Sequence, residues 1–320
     1  MNSLSKDSAS WREVDESAQN QRIDNYLQKI LKGVPKSHIY RILRSGEVRV
    51  NSGRVDASYR LQDGDKLRLP PIRTAAPKAS PLRSSAVFTG SVLLEDEDLL
   101  IVDKPSGVAV HGGSGISSGV IEQLRSARPG LRFLELAHRL DRDTSGVLVM
   151  AKKRTALTAL HAQLREGAVR KHYVALVLGE WGDAKRNVRA ALHKYVAASG
   201  ERRVVVHDEG QQAHTVFRLI RKFPLLSLLD AELKTGRTHQ IRVHLAHIGF
   251  PIAGDDKYGD SDANKRLAKQ GLKRMFLHAA SLEFNHPRNA RPVRIEAPLA
   301  PELERFVRSL RDAGSAMKEG

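Results

Sequence analysis

Apolar positions along this chain follow two different patterns, one on each side of a proline- and serine-rich stretch. In "RIDNYLQKIL", Ile23, Leu27, Ile30 and Leu31 fall at helical intervals; "PKSHIYRILRSG" opens on Pro35, closes on Gly46 and gathers Ile39, Ile42 and Leu43 on one arc. Two short amphipathic helices are predicted. "EVRVNSGRV" and "QDGDKLRLP" then predict short strands around turns. Beyond residue 87 the apolar runs lengthen. "LLIVDK" and "GVLVMA" predict buried strands, "GVIEQLRSAR" a helix, and "LTALHAQLREG" a helix on Leu157, Leu160 and Leu164. In "KHYVALVL", Tyr173, Ala175 and Val177 alternate against Val174, Leu176 and Leu178, the pattern of a strand covered on both faces. "LLSLLDAELKTGRTHQIRVHLAHIGF" predicts a strand, a basic turn, and a helix burying Ile241, Leu245 and Ile248. "RMFLHAASLEFNHP" and "RPVRIEAP" predict two more strands, and "PELERFVRSLRDAG" a closing helix.

Charge sharpens this division. Residues 20–78 carry thirteen Lys and Arg against five acids, whereas residues 1–19 are Ser- and Asp-rich with two basic and four acidic residues. The expected order is a disordered tail over 1–19, a small basic domain over 20–70, a linker over 71–86 ("PIRTAAPKASPLRSSA"), a larger domain over 87–312 and a tail over 313–320. The whole chain holds 53 Lys and Arg against 36 Asp and Glu, a formal charge of +17, which calls for a polyanionic partner such as nucleic acid. Helix Lys36, Arg41 and Arg44, followed by Arg49 in the hairpin, supply a phosphate-holding face. No run of about 18 apolar residues exists to span a bilayer, so no membrane partner is expected and the protein is expected to be cytoplasmic and monomeric. The chain has no cysteine, which excludes disulfides, thiolate metal sites and a cysteine nucleophile.

"HRLDRDTSG", residues 138–146, concentrates a histidine, two arginines and two aspartates between two apolar runs, where charge is best explained by a cleft. Three readings stand for it. Arg139 or Arg142 neutralises Asp141 or Asp143 in a structural ion-pair network. Alternatively, Asp141 and Asp143, two apart on an extended chain, form a two-carboxylate glycosidase pair. In the third, one carboxylate works, kept ionised by arginine. Arg237 and Arg242 lie at or near the start of a helix, where backbone N–H groups already favour an anion. His239, His244 and His247, with Asp255 or Asp256, suggest a metal site, but their spacing does not put all three on one narrow face and no metal is expected. The glycines of "VHGGSG" after His111 lack the spacing of a nucleotide-binding loop.

Taken in order, "KPSGVAVHGG", "HRLDRDTSG", "KHYVALV", "TGRTHQIRVHL", "PIAGDDKYG" and "FLHAASLEFNHP" resemble the RluA-type pseudouridine synthases, over about residues 21–311. The basic segment 20–70 resembles the small α/β RNA-binding domain first described in ribosomal protein S-four. The resemblance implies an α+β fold, a large mixed, mostly antiparallel sheet with flanking helices, behind that small domain. It implies a site-specific isomerase that converts uridine to pseudouridine in large-subunit ribosomal RNA or its precursor particle, without a cofactor. On this resemblance Asp141 is the catalytic aspartate and Arg242 its partner. Tyr173 stacks on the uracil and assists at C5, and Leu277 packs around the base. Arg139 fills the space left by the flipped nucleotide, with His138 and Arg237 as further RNA contacts. A non-catalytic RNA-binding assembly factor and an RNA N-glycosidase are the rival classes.

Overall fold

The structure, a computed structural model, describes residues 8–15, 18–31, 33–72, 87–112, 118–197 and 200–319, with residues 313–319 as backbone alone. It divides into two compact units, residues 1–85 and 86–320. Most of the expected linker, residues 73–86, and the glycines Gly113 and Gly115 lie outside the described residues.

The first unit packs two helices, α1 (Ile23–Ile30) and α2 (Lys36–Arg44), on a four-stranded sheet. Its strands are β1 (Ser10–Glu13), β2 (Arg49–Val50), β3 (Gly53–Arg54) and β4 (Lys66–Leu69), in the order β1-β4-β2-β3. Ile23, Leu27 and Leu31 meet Ile39, Ile42 and Leu43 over Val50, Leu67 and Leu69. Each fully buried side chain of this kind contributes roughly 1.5–3 kcal/mol. Residues 10–15 and 18 depart from the expected tail. Ser10–Glu13 pairs antiparallel with Lys66–Leu69, and Val14 and Ala18 are buried in the same core. Its Ser/Asp-rich composition conceals two apolar anchors and a backbone that completes the ladder on β4.

The second unit is built on one mixed sheet. Its elements run β5 (Val92–Glu95), β6 (Leu99–Lys104), α3 (Val120–Ala127), β7 (Glu135–Leu136), β8 (Ser145–Ala151), α4 (Arg154–Glu166) and β9 (Arg170–Leu178). Then come β10 (Lys185–Arg189), β11 (Leu192–Val196), β12 (Arg202–Val206), β13 (His214–Phe223), β14 (Leu226–Leu233), α5 (Gln240–His247) and α6 (Ser261–Lys269). β15 (Leu277–Asn285), β16 (Pro292–Glu296) and α7 (Pro301–Glu319) close it; α7 continues as helix through the expected tail over 313–319. The sheet order is β10-β13-β14-β9-β15-β8-β6-β5, with β16 on β15 and β7 on β8; among the described residues only β15 and β8 run parallel. β9 sits at its centre. Tyr173, Ala175 and Val177 join one core, and Val174, Leu176 and Leu178 face a second one under α7, as the alternation predicts. β11 and β12 form a separate hairpin.

β8 and β15 bring the charged motif to the middle of the sheet. Gly146, with φ +109°, lies so close to β15 that a Cβ there would come 2.2 Å from the Ala279 carbonyl oxygen. Only glycine fits.

Candidate active site

The segment between β7 and β8 projects the carboxylate of Asp141 into a cleft, and α5 delivers its partner. Arg242 Nη1 donates to Asp141 Oδ2 at 3.2 Å. Its other nitrogens are committed to Asp255, with Nε to Oδ2 at 2.8 Å and Nη2 to Oδ1 at 2.7 Å. Asp255 is 1% exposed and also accepts the backbone N–H groups of Lys257 and Tyr258. Burial alone would push the Asp255 carboxyl up and the Arg242 guanidinium down. Their pairing overrides both effects, so Asp255 falls below, and Arg242 rises above, its ordinary value.

His239 completes the enclosure. It enters α5 in the left-handed region, φ +53°, a conformation uncommon for a non-glycine residue. Its Nε2 lies 3.8 Å from Asp141 Oδ1, and its Nδ1 lies 2.8 Å from the Tyr258 hydroxyl. That hydroxyl also accepts the Val204 N–H at 3.1 Å. In the tautomer whose Nδ1 accepts from Tyr258, Nε2 carries the imidazole proton and faces Asp141. Tyr258 also presents its ring to Arg242, whose guanidinium carbon is 5.0 Å from the centroid.

The Asp141 loop is held from below by Lys104. This fully buried ammonium donates to the carbonyls of Pro105 and Val108, each at 2.8 Å, and of Arg142 at 2.9 Å. Burial, and then Arg274, pull its pKa down to about 7 against Asp143 and Asp141. Ser106 Oγ donates to the Asp143 carbonyl at 2.7 Å, and Arg274 Nη2 to Ser145 Oγ at 2.8 Å.

Asp141 stands at the wall between two cavities. One, of about 600 Å³, is lined by His138, Arg139, Asp141, Tyr173, Arg237, Arg242 and Leu277, all of the site residues expected from the larger domain. The other, of about 1170 Å³, shares Arg139, Asp141, His239 and Arg242 and adds Arg142, Asp143 and Lys104. Within the first, Tyr173 is 8% and Leu277 3% exposed. Burial, and then Asp141, push the Tyr173 phenol up, so at neutral pH it offers a ring and an O–H. Arg139 is exposed, and its guanidinium makes no hydrogen bond or ion pair among the described residues. His138 accepts the Val149 N–H on Nε2 at 3.1 Å, a strut for the loop. Arg237 Nε donates to the Gln212 carbonyl at 3.2 Å, and the buried Gln240 Oε1 accepts the Arg237 N–H, fixing the basic turn.

The geometry separates the two aspartates of "HRLDRDTSG". Asp143 pairs with Arg142 at 3.1 Å near the surface, as a structural network requires, while Asp141 alone is clamped in the cleft. Asp143 also borders the larger cavity but is paired with Arg142, and among the described residues Asp141 is the one carboxylate lining the cavity that holds Tyr173 and Leu277, so the two do not face one space as a glycosidase pair would need. The histidine metal reading fails on geometry: His244 is engaged by Thr215 Oγ1 at 3.0 Å and the Ala190 carbonyl at 3.1 Å, and Asp255 by Arg242. Lys36, Arg41, Arg44 and Arg49 lie in the first unit, all exposed, on α2 and at the start of β2.

Known proteins share this architecture along nearly the whole chain. Residues 98–247 match the RNA pseudouridylate synthase family, and residues 21–67 match the S4 domain. The chain belongs to the RluA-type pseudouridine synthases and is an isomerase. It is 51% identical over 307 residues to the ribosomal large subunit pseudouridine synthase C of Pasteurella multocida (strain Pm70), covering 95% of this chain and 94% of that one. To the protein of the same name from Escherichia coli (strain K12) it is 52% identical, over 92% of this chain and 94% of that one. Among solved structures, Human RNA Pseudouridylate Synthase Domain Containing 4 shares the fold, with a TM-score of 0.57 at 24% identity over 69% of this chain and 93% of that one.

Proposed function

We propose that this enzyme isomerises specific uridines of large-subunit (23S) ribosomal RNA to pseudouridine, with Asp141 as its catalytic carboxylate. The observation that carries this reading is the single carboxylate held by Arg242 in a cavity beside Tyr173 and Leu277. In the reaction the C1′–N1 bond breaks, the uracil turns, and C1′ bonds to C5; C5 loses its proton and N1 gains one. Asp141 acts at the ribose, where its charge favours breaking the glycosidic bond. Arg242 keeps it aimed. Tyr173 and Leu277 sandwich the freed uracil against the cavity wall, so that it turns without escaping into water. Arg139, unencumbered at the mouth, occupies the stack that the flipped nucleotide vacates. His138 and Arg237 shape and charge the same cavity. Lys36, Arg41, Arg44 and Arg49 bind RNA phosphates, a term that weakens with salt. The enzyme works as a cytoplasmic monomer on ribosomal RNA or its precursor particle; no helix among the described residues is long and apolar enough to cross a membrane.

The test is tritium release from large-subunit ribosomal RNA labelled at uridine C5, comparing the natural protein with Asp141→Asn. Release that disappears in the variant while RNA binding persists supports the reading. Free uracil instead would make it an N-glycosidase, and binding without release on RNA and particles alike would leave an assembly factor.

A further inference from the structure

The first unit carries a side-chain cluster that the phosphate face of α2 does not account for. Arg54 stands opposite Arg49 across β3 and β2, Arg49 opposite Arg68 across β2 and β4, and Arg68 opposite Trp11 across β4 and β1. Directly paired residues of an antiparallel ladder project from the same face, with Cβ atoms about 4.5–5.5 Å apart. Four strands therefore carry one continuous row, on the face opposite buried Val50 and Leu67.

Three arginines abreast repel one another, and like charges directly opposite destabilise a sheet. What holds them is the end of α2. Arg49 Nε donates to the Gly46 carbonyl at 3.2 Å, and Arg68 Nη1 to the Glu47 carbonyl at 2.9 Å. Arg54 lies flat over Gly46, where a Cβ would come 2.5 Å from its Nε. All three guanidiniums thus converge on one turn, at the negative end of a helix dipole. None makes a salt bridge among the described residues, and each keeps most of its five N–H donors. Trp11, at the end of the row, is 56% exposed. The acid on this face is Glu13, which stands opposite Lys66 one position along.

We propose that this row is a nucleotide-binding site, in which Arg49, Arg54 and Arg68 hold a phosphodiester and Trp11 stacks one unpaired base of the RNA. Converging guanidiniums match a phosphate, and an exposed indole next to them offers the flat apolar surface that an unstacked base needs. A continuous duplex keeps its bases inside and gives Trp11 nothing to stack on. The ligand is therefore a single-stranded stretch or loop, and the small unit reads RNA conformation as well as charge. This proposal rests on the reading that the protein acts on RNA.

Intrinsic fluorescence tests it in the full-length protein, because the other tryptophan, Trp181, is fully buried. The probes are a single-stranded uridylate oligomer and a blunt RNA duplex with the same number of phosphates. We expect the oligomer to quench Trp11 and the duplex not to. Trp11→Ala should weaken binding of the oligomer about 5- to 100-fold, and Trp11→Phe should restore most of it. Arg54→Ala and Arg68→Ala should each lower the salt dependence of binding by about one ion. Unchanged fluorescence at saturating oligomer, equal quenching by the duplex, or full affinity in Trp11→Ala would overturn the stacking site. Tritium release by the natural protein, measured alongside, separates that failure from failure of the enzymatic reading.

Discussion

Arg242 is fastened to Asp255 by two nitrogens and reaches Asp141 with a third, so the direction of the Arg242–Asp141 contact is set by a residue 13 positions along the chain. Asp255 is a positioning residue. Asp255→Asn keeps the volume but removes the charge and one acceptor. Breaking a buried ion pair typically costs about 3–5 kcal/mol, and a misplaced catalytic group costs about 100-fold in rate. Thermal unfolding should therefore shift down by several degrees. The single-turnover rate should fall about 10- to 100-fold while RNA affinity holds. An unchanged rate in folded protein would show that Arg242 needs no such support.

That pairing marks the limit of what the sequence discloses. The strands β9 and β15 and the helices α4 and α5 are legible because their apolar periodicity is their packing, and "HRLDRDTSG" stands out because charge rarely separates two buried runs. Asp255 reads only as a spare metal ligand. Its partner is chosen by the loop joining α5 to α6, whose geometry no periodicity encodes. Strand β1 is hidden for a related reason: Ser10–Glu13 is an edge strand, largely exposed, and its place is fixed by backbone pairing to β4. The strands between Lys185 and Phe223 alternate poorly, since β10 and β12 carry arginines at exposed positions and β13 is bulged between Leu219 and Arg221.

Tyr258 joins the β11–β12 hairpin to the active site through one hydroxyl, accepting from Val204 N–H and hydrogen-bonded to His239 Nδ1. Tyr258→Phe keeps the ring over Arg242 and removes that bridge. His239 then loses the Nδ1 partner that holds its ring, and with it the orientation of Nε2 toward Asp141. A loss of about 3- to 10-fold in kcat with KM unchanged is expected, in line with one modest hydrogen bond. Equal losses in both parameters would place Tyr258 in RNA binding instead.

Lys104 ties the Asp141 loop, at the Arg142 carbonyl, to the Pro105 and Val108 carbonyls of the loop after β6. Lys104→Met matches its length but leaves those oxygens without their donor. Each unsatisfied buried group costs roughly 1–3 kcal/mol. Stability should drop by a few kcal/mol in denaturant titration, and tritium release should fall at least about 10-fold in protein that remains folded. Wild-type activity in a destabilised Lys104→Met would show that the loop keeps its aim without the ammonium.

His138 makes the same loop sensitive to acid. Burial, and then Lys171, push its imidazole from the ordinary 6.5 down to about 4. Between those values the unfolded chain takes up a proton that the folded protein refuses, so folding stability falls as pH drops from about 6.5 to about 4 and loses nothing further from this group below that. At roughly 1.4 kcal/mol per unit the full effect is about 3 kcal/mol. The geometry agrees with the sign: Nε2 accepts the Val149 N–H, and protonation would set two donors against each other. Urea titrations of the natural protein and of His138→Gln, stepped from pH 7 to pH 4, check it. The stability difference between them should narrow, or reverse, as the pH falls. A gap that stays constant across that window would mean that His138 titrates alike in the folded and unfolded chains, and that the loop's acid sensitivity lies elsewhere.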